Sequence, residues 1–410
     1  MAEAAVVTTA ARTRSSSLPT VSTVRPPSPE FDLICQVVRP NPNWLCVRAL
    51  LQDPLNFPEI QRLAQQHGVR PQLIAAYESL GWVGVPAEVR AECAIFQRIH
   101  VVRMLSLSQE LRRIDALFAA NDMPFVAFKG AALSGFLYGD LSQREYGDLD
   151  ILVPKEHVAA SERLLGALGY TGPFADTEFR HVFLAFQQQY AFVREDIHMS
   201  VDLHWHFNGI HSPFPLQPEE AWSELASVTI GERRIATPSG ANLALLLAGH
   251  GTKEVWKKLG WVRDFATLVD RFADLDWQSI HRRAQRQGCG NAVLLGCTLA
   301  ETLLAVPVPE AIAQAARGSR RVQSRSASIV RTMRGNVPPP SIRPYLEDLA
   351  LCDRWSDRLK SISQQIFIRT GSDYAAWPLP PFLWGIYYLT RPFRLLGKGV
   401  RRFLKLGRVY

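Results

Sequence analysis

Residues 124–153 constrain the fold more than any other stretch of the chain. They read as an apolar strand from Phe125 to Phe128, a Lys129-Gly130 turn, a short helix, a loop, and a second strand bearing Asp148 and Asp150. Successive side chains on a strand point to opposite faces, so Asp148 and Asp150 share one face while Leu149 and Ile151 enter the core. Two carboxylates roughly 6.6 Å apart along a strand repel by about 2–3 kcal/mol at an effective dielectric of about 20. A divalent cation removes that repulsion, and hard oxygen donors favour Mg²⁺ or Mn²⁺.

The rest of the chain sets broad bounds. Its 410 residues are enough for two or three packed units. A net charge of +8 suits acidic partners such as nucleotides, nucleic acid or anionic lipid, or serves solubility alone. The six cysteines form no CxxC pair, which predicts free buried thiols in a reducing compartment. No apolar run reaches the length of a transmembrane helix, so a cytoplasmic location is expected, with peripheral membrane contact as the exception. Residues 1–28 are rich in Ala, Ser, Thr, Arg and Pro without an apolar centre, and read as a disordered leader rather than a signal peptide.

Taken in order, residues 29–120 carry a helical pattern. A helix from Asp53 to His67 stops at Gly68, and a longer one spans Pro86 to Ala120 with Met104, Leu107, Leu111, Ile114 and Phe118 in one stripe. Residues 121–207 form an α+β unit, closing with strands over 187–193 and 199–207. Residues 208–316 are read as a helical substrate-pocket region. Residues 317–340, rich in Arg and Ser and ending in three prolines, are read as a linker. The final region, 341–410, is helical and ends in a tail with Trp384, Tyr387 and Tyr388 followed by seven basic residues from Arg391 to Arg408. That tail either lies weakly on an anionic membrane or packs across the helical layer, with Pro392, Gly397 and Gly399 breaking any long helix.

Three pieces are placed for phosphoryl transfer. Asp148 and Asp150 form one. Asp202, in Val201-Asp202-Leu203-His204-Trp205-His206, adds a third carboxylate from another strand, enough for a two-metal site. Lys129 and Gly130 sit at a strand-to-helix turn, where free backbone N–H groups and a point charge attract phosphate. His204 and His206 share the face of Asp202. Arg144 either reaches phosphate from its loop or pairs with Glu145 or Asp140, whereas His250 and Asp264 read as structural or acceptor-pocket residues.

These motifs resemble the DNA polymerase β-type nucleotidyltransferase superfamily, in its large uncharacterised bacterial branch. The matching residues are Phe128 to Leu133, Leu137 to Asp140, Arg144, Gly147 to Val153, Leu168 to Tyr170, Val201 to Trp205, His250, Trp261 to Asp264, and Tyr387 to Pro392. One departure stands out: the glycine turn of the superfamily is Gly-Ser or Gly-Gly close to the acidic pair, whereas Gly130 precedes Ala131 and lies far upstream.

The resemblance implies an α+β nucleotidyltransferase core with a mixed sheet, flanked by N-terminal and C-terminal helical regions. It implies catalytic and metal-holding roles for Asp148, Asp150 and Asp202 with Mg²⁺ or Mn²⁺. Nucleotide contacts are expected from Lys129, Gly130, Arg144 and His204. NTP is the implied co-substrate, and the acceptor is a hydroxyl on a small molecule or peptide, with nucleic acid not expected. The competing readings are a non-catalytic nucleotide sensor, a membrane-surface protein, and a protein- or RNA-modifying transferase.

Overall fold

The computed structural model describes residues 28–172, 184, 188–208, 213–335, 349, 351–367 and 371–406. Four short helices open the chain: α1 (Pro29–Val37), α2 (Trp44–Leu50), α3 (Phe57–His67) and α4 (Arg70–Ser79). Helix α3 begins later than the sequence suggests, because the Asn56 side chain caps its first turn by accepting from the Glu59 N–H. It ends as expected at Gly68, whose φ of +65° is a left-handed cap.

The long helix α5 (Ala87–Ala119) lays Leu107, Leu111, Ile114 and Phe118 into the core beneath the sheet. Strand β1 (Val126–Ala127), shorter than its apolar run, is followed by α6 (Gly130–Tyr138), β2 (Asp148–Leu152), α7 (Val158–Ala167), β3 (Gln189–Arg194) and β4 (Met199–His204). The strands form one mixed sheet in the order β1-β2-β4-β3, with β2 and β4 parallel and the other pairs antiparallel.

The two faces of this sheet are unlike. Leu149, Ile151, Val201 and Leu203 are fully buried against α5 and its neighbours. Asp148, Asp150, Asp202 and His204, at the alternate positions, occupy the opposite face. The α+β core read from the sequence is therefore present, with Asp148, Asp150, Asp202 and His204 on one side.

Beyond the sheet come α8 (Pro218–Ser223), β5 (Leu225–Ile230) and β6 (Arg233–Pro238), then α9 (Gly240–Lys253), α10 (Leu259–Arg271), α11 (Trp277–Arg286), α12 (Gly290–Leu304), α13 (Glu310–Gly318) and α14 (Arg320–Gly335). Helices α15 (Trp355–Phe367), α16 (Gly371–Ala376) and α17 (Ile386–Leu406) follow. Phe31, Ile60 and Leu73 from the N-terminal helices share a core with Leu246, Phe265 and Leu299 from the later ones. The flanking helical regions thus close over the polar side of the sheet as one packed layer.

Three expectations need correction. The region 208–316 is not wholly helical, because β5 and β6 pair as a hairpin around Gly231, whose φ is +62°. Val228, Ile230 and Ile235 drive that hairpin into the core under α5. The stretch 317–340 is no linker over most of its length, since α14 buries Val322, Ile329 and Met333. Those residues fall on one stripe of an otherwise Arg- and Ser-rich helix, with Arg325 and Ser326 buried beside them, and a few apolar side chains suffice to anchor it. The basic tail also runs as one helix through Pro392 and the glycines. Buried Tyr387, which donates to the Trp377 carbonyl, and Arg391, paired with Asp373, hold it against α16.

All six cysteines are free, and all but Cys46 are buried. Among the described residues, no helix is long and apolar enough to cross a membrane. Residues 1–27 of the expected leader lie outside the described residues.

Candidate active site

The register between β2 and β4 builds the site. Asp150 stands opposite Asp202, and Leu152 stands opposite His204, across the parallel pair. Each strand continues into the core on its other face, so neither acid can turn away without extracting Ile151 or Leu203. Ligand atoms of Asp150, Asp202 and His204 lie within 4.8 Å of one another. Asp148 stands two residues earlier on the same face and lines the same cleft, a cavity of about 230 Å³ shared with Lys129, Phe128 and His250.

The electrostatics of the cleft are unequal. Lys129 places its ammonium 3.0 Å from Asp150 Oδ1, and His204 Nε2 lies 3.3 Å from the same oxygen. Burial alone would raise the Asp150 pKa, but Lys129 and His204 outweigh it and hold the group well below the usual carboxylate range. Burial followed by the Asp150 charge pushes Asp148 up, and the same two causes push Asp202 up to about 6. The site therefore keeps one carboxylate firmly ionised beside two that resist ionisation. That is the state of three acids brought together before an additional positive charge joins them.

The donor chemistry suits a divalent ion. Two carboxylates and an imidazole converge, a third carboxylate is adjacent, and the buried His204 Nδ1 has no hydrogen-bond partner among the described residues. The His204 ring stands edge-on to Phe128 with centroids 5.0 Å apart, and Phe128 meets Phe207 in the same way at 5.3 Å. These rings fix the imidazole and wall the floor of the cleft with apolar surface.

The model of the uncharacterised nucleotidyltransferase family matches residues 53–305, the span that contains every element of this cleft. The chain belongs to that family and is a nucleotidyltransferase. Solved structures similar to it include ANT(2'')-Ia in complex with adenylyl-2''-tobramycin. That chain is 17% identical, with 49% of this chain and 95% of that one covered and a TM-score of 0.26. Another is an antigenic nucleotidyltransferase-like protein from Paracoccidioides brasiliensis, 14% identical, with 52% and 97% covered and a TM-score of 0.31. No curated protein matches the sequence.

In this nucleotidyltransferase the remaining expected site residues separate. Lys129 lines the cleft, at the N-cap of α6, and no side chain caps that helix end. Gly130 does not line it. Its φ of +54° makes the sharp turn into α6, and a Cβ there would stand 3.1 Å from the Asp148 carbonyl oxygen. Arg144 also lies away from the cleft. Its Nε and Nη2 bind the buried Asp264 at 3.0 and 2.9 Å, and its Nη1 donates to the Gly130 carbonyl at 3.3 Å. The phosphate contact expected of Arg144 is replaced by a buried ion pair behind the turn, which ties α10 to Gly130. Tyr138 donates to the same Asp264 at 2.7 Å. His206 takes the Asn208 N–H at 3.3 Å and is not among the cleft residues.

His250, read as a structural or acceptor-pocket residue, lines the cleft, together with Lys253 and Phe214, which the sequence did not single out. His250 and Lys253 project from α9, and Phe214 covers the cleft from the connection before α8. Burial and the Lys129 charge hold His250 well below its ordinary pKa, which keeps it neutral. The only signal for Lys253 was its place three residues after His250 on one helix face, a spacing as common on solvated surfaces.

Proposed function

We propose that this enzyme transfers a nucleoside monophosphate from NTP to a hydroxyl of a small-molecule or peptide acceptor and releases pyrophosphate. Asp150 and Asp202 would hold Mg²⁺ or Mn²⁺ with Asp148 as the third carboxylate, and His204 beside them. A divalent ion so held lowers the pKa of an attacking hydroxyl and stabilises the leaving pyrophosphate. The side chains supply the rest. Lys129 offers a cation next to the uncapped start of α6, where backbone N–H groups favour a phosphate. Gly130 and the Arg144–Asp264 pair position that turn from behind. Phe128 and Phe207 reduce water on one wall of the cleft, which strengthens every charge interaction inside it.

The observation that supports this reading most directly is the parallel register that sets Asp150 against Asp202 with His204 on the same face. The three groups come from two strands distant in sequence, and a solvated acidic surface has no reason to bury Asp150 to 6% exposure. Pyrophosphate release from each of the four NTPs, with Mg²⁺ or Mn²⁺ and a panel of alcohols, tests the reaction. Asp150→Asn is expected to lower the rate by about a hundredfold or more, the scale of losing one electrostatic stabiliser. Release by Asp150→Asn at the parent rate would show that the site is misassigned.

A further inference from the structure

A second cavity, of about 170 Å³, adjoins the carboxylate cleft and has no part in the chemistry above. Phe214 and Lys253 line both spaces, so the two meet along one wall. Pro215, Gly249, Ala292 and Leu351 give the second cavity much of its apolar wall. Gly249 is required for this shape: a Cβ there would fall 2.5 Å from the Phe214 ring and 2.7 Å from Pro215. Asn208, Thr252, Lys253 and Ser361 interrupt the apolar wall with polar side chains. Thr252 Oγ1 is buried with no hydrogen-bond partner among the described residues. Lys253 is the one charged side chain among the described lining residues, at the junction where the charges of Glu254, Asp150 and Asp202 also act on it.

We propose that this cavity is the acceptor pocket, and that it selects an alcohol with an apolar body that carries no positive charge. The proposal rests on the nucleotidyl-transfer reading and adds the acceptor class to it. An apolar body fills the space between Ala292, Leu351 and Pro215, and the hydroxyl reaches past Phe214 into the carboxylate cleft. There the hydroxyl oxygen forms a bond to the α-phosphorus as the bond from that phosphorus to the bridging oxygen breaks. Pyrophosphate leaves with the electron pair, and the hydroxyl proton passes to solvent. A cationic acceptor meets Lys253 at the junction and finds no acid among the cavity's described lining residues. An anionic group on the acceptor instead finds Lys253 as its partner, and a neutral polar group finds Thr252.

Two matched probes of equal size test this on the full chain: 4-(hydroxymethyl)benzoate and 4-(aminomethyl)benzyl alcohol, with binding followed by ligand-observed NMR. The parent is expected to bind the benzoate about fivefold more tightly than the amine, the scale of one partly exposed charge pair. Lys253→Glu, at an exposed side chain, should reverse that order. Ala292→Phe should remove binding of both probes by filling the cavity. A thermal melt checks that each variant folds, and Lys253→Glu carries the test alone if Ala292→Phe does not. Equal binding of the two probes by the parent overturns the proposal. So does an unchanged order in Lys253→Glu, or no binding of either probe at about 10 mM, the weak end of specific recognition. A separate titration of the parent with Mg²⁺–ATP reports on the underlying reading: failure there with probe binding intact removes the nucleotide, not the pocket.

Discussion

Replacing Gly130 by alanine separates backbone strain from contact at the catalytic turn. Gly130 has φ +54° and faces the Asp148 carbonyl, while Gly139, at the other end of α6, has φ +67° and open space around it. Either alanine meets the left-handed penalty of about 1–2 kcal/mol. Each also loses unfolded-chain entropy, which returns about 0.4–1 kcal/mol. Gly139→Ala should therefore cost about 0–1.6 kcal/mol in a urea melt. Gly130→Ala carries the further burden of a Cβ 3.1 Å from a backbone oxygen, so either the turn or β2 must shift by a few tenths of an ångström. Overpacking of this kind adds about 1–3 kcal/mol. Because the displaced oxygen belongs to Asp148, pyrophosphate release should also fall in Gly130→Ala and stay near the parent rate in Gly139→Ala. If the two variants melt at the same urea concentration and turn over alike, the contact with Asp148 has no energetic weight and the reasoning fails.

Other outcomes follow from the same geometry. Asp264→Asn leaves the Arg144 guanidinium buried without its counterion, and breaking a buried pair costs about 3–5 kcal/mol. A urea midpoint unchanged from the parent would contradict the pairing. Mn²⁺ binding should weaken by about tenfold from pH 7 to pH 5, because Asp202, raised to about 6, must ionise to act as a ligand. Isothermal titration at the two pH values measures this, and Asp202→Asn should flatten the difference. The sign for stability differs between the acids. A raised carboxyl such as Asp202 takes up more protons when folded, so its contribution declines as pH rises from about 4 to about 6. Asp150, lowered, stabilises above the unfolded carboxyl range, and that stabilisation is lost as pH falls below it. An acid melt of Asp150→Asn with less loss of stability below about pH 4 than the parent would bear this out.

Much of the site was legible because strand periodicity is strict. Once Asp148, Asp150 and Asp202 alternate with Leu149, Ile151, Val201 and Leu203, burying the apolar set forces the acids to the other face. The register between the two strands was not legible, since it depends on the crossover through α7 and on β3. That register is what promotes His204 from neighbour to member of the central cluster and leaves Asp148 at its margin. Arg144 was misplaced because its partner, Asp264, lies on a helix far along the chain. The β5–β6 hairpin had a signal in Gly231-Glu232 between two β-branched runs, and it was lost among the helical segments around it. Helix α14 hid behind its composition, where arginines and serines outnumber the residues that anchor it.

The parallel pairing of β2 with β4 has a further implication for how activity is acquired during synthesis. Asp150 and Asp202 become neighbours only after α7 and β3 have been made and the crossover has closed, so a nascent chain or proteolytic fragment ending before Met199 holds half a centre. Such a fragment should be inert toward nucleotide however well its helices form. The carboxylate centre is thus completed in one step, by the seating of β4, before the helices that wall the cleft are made.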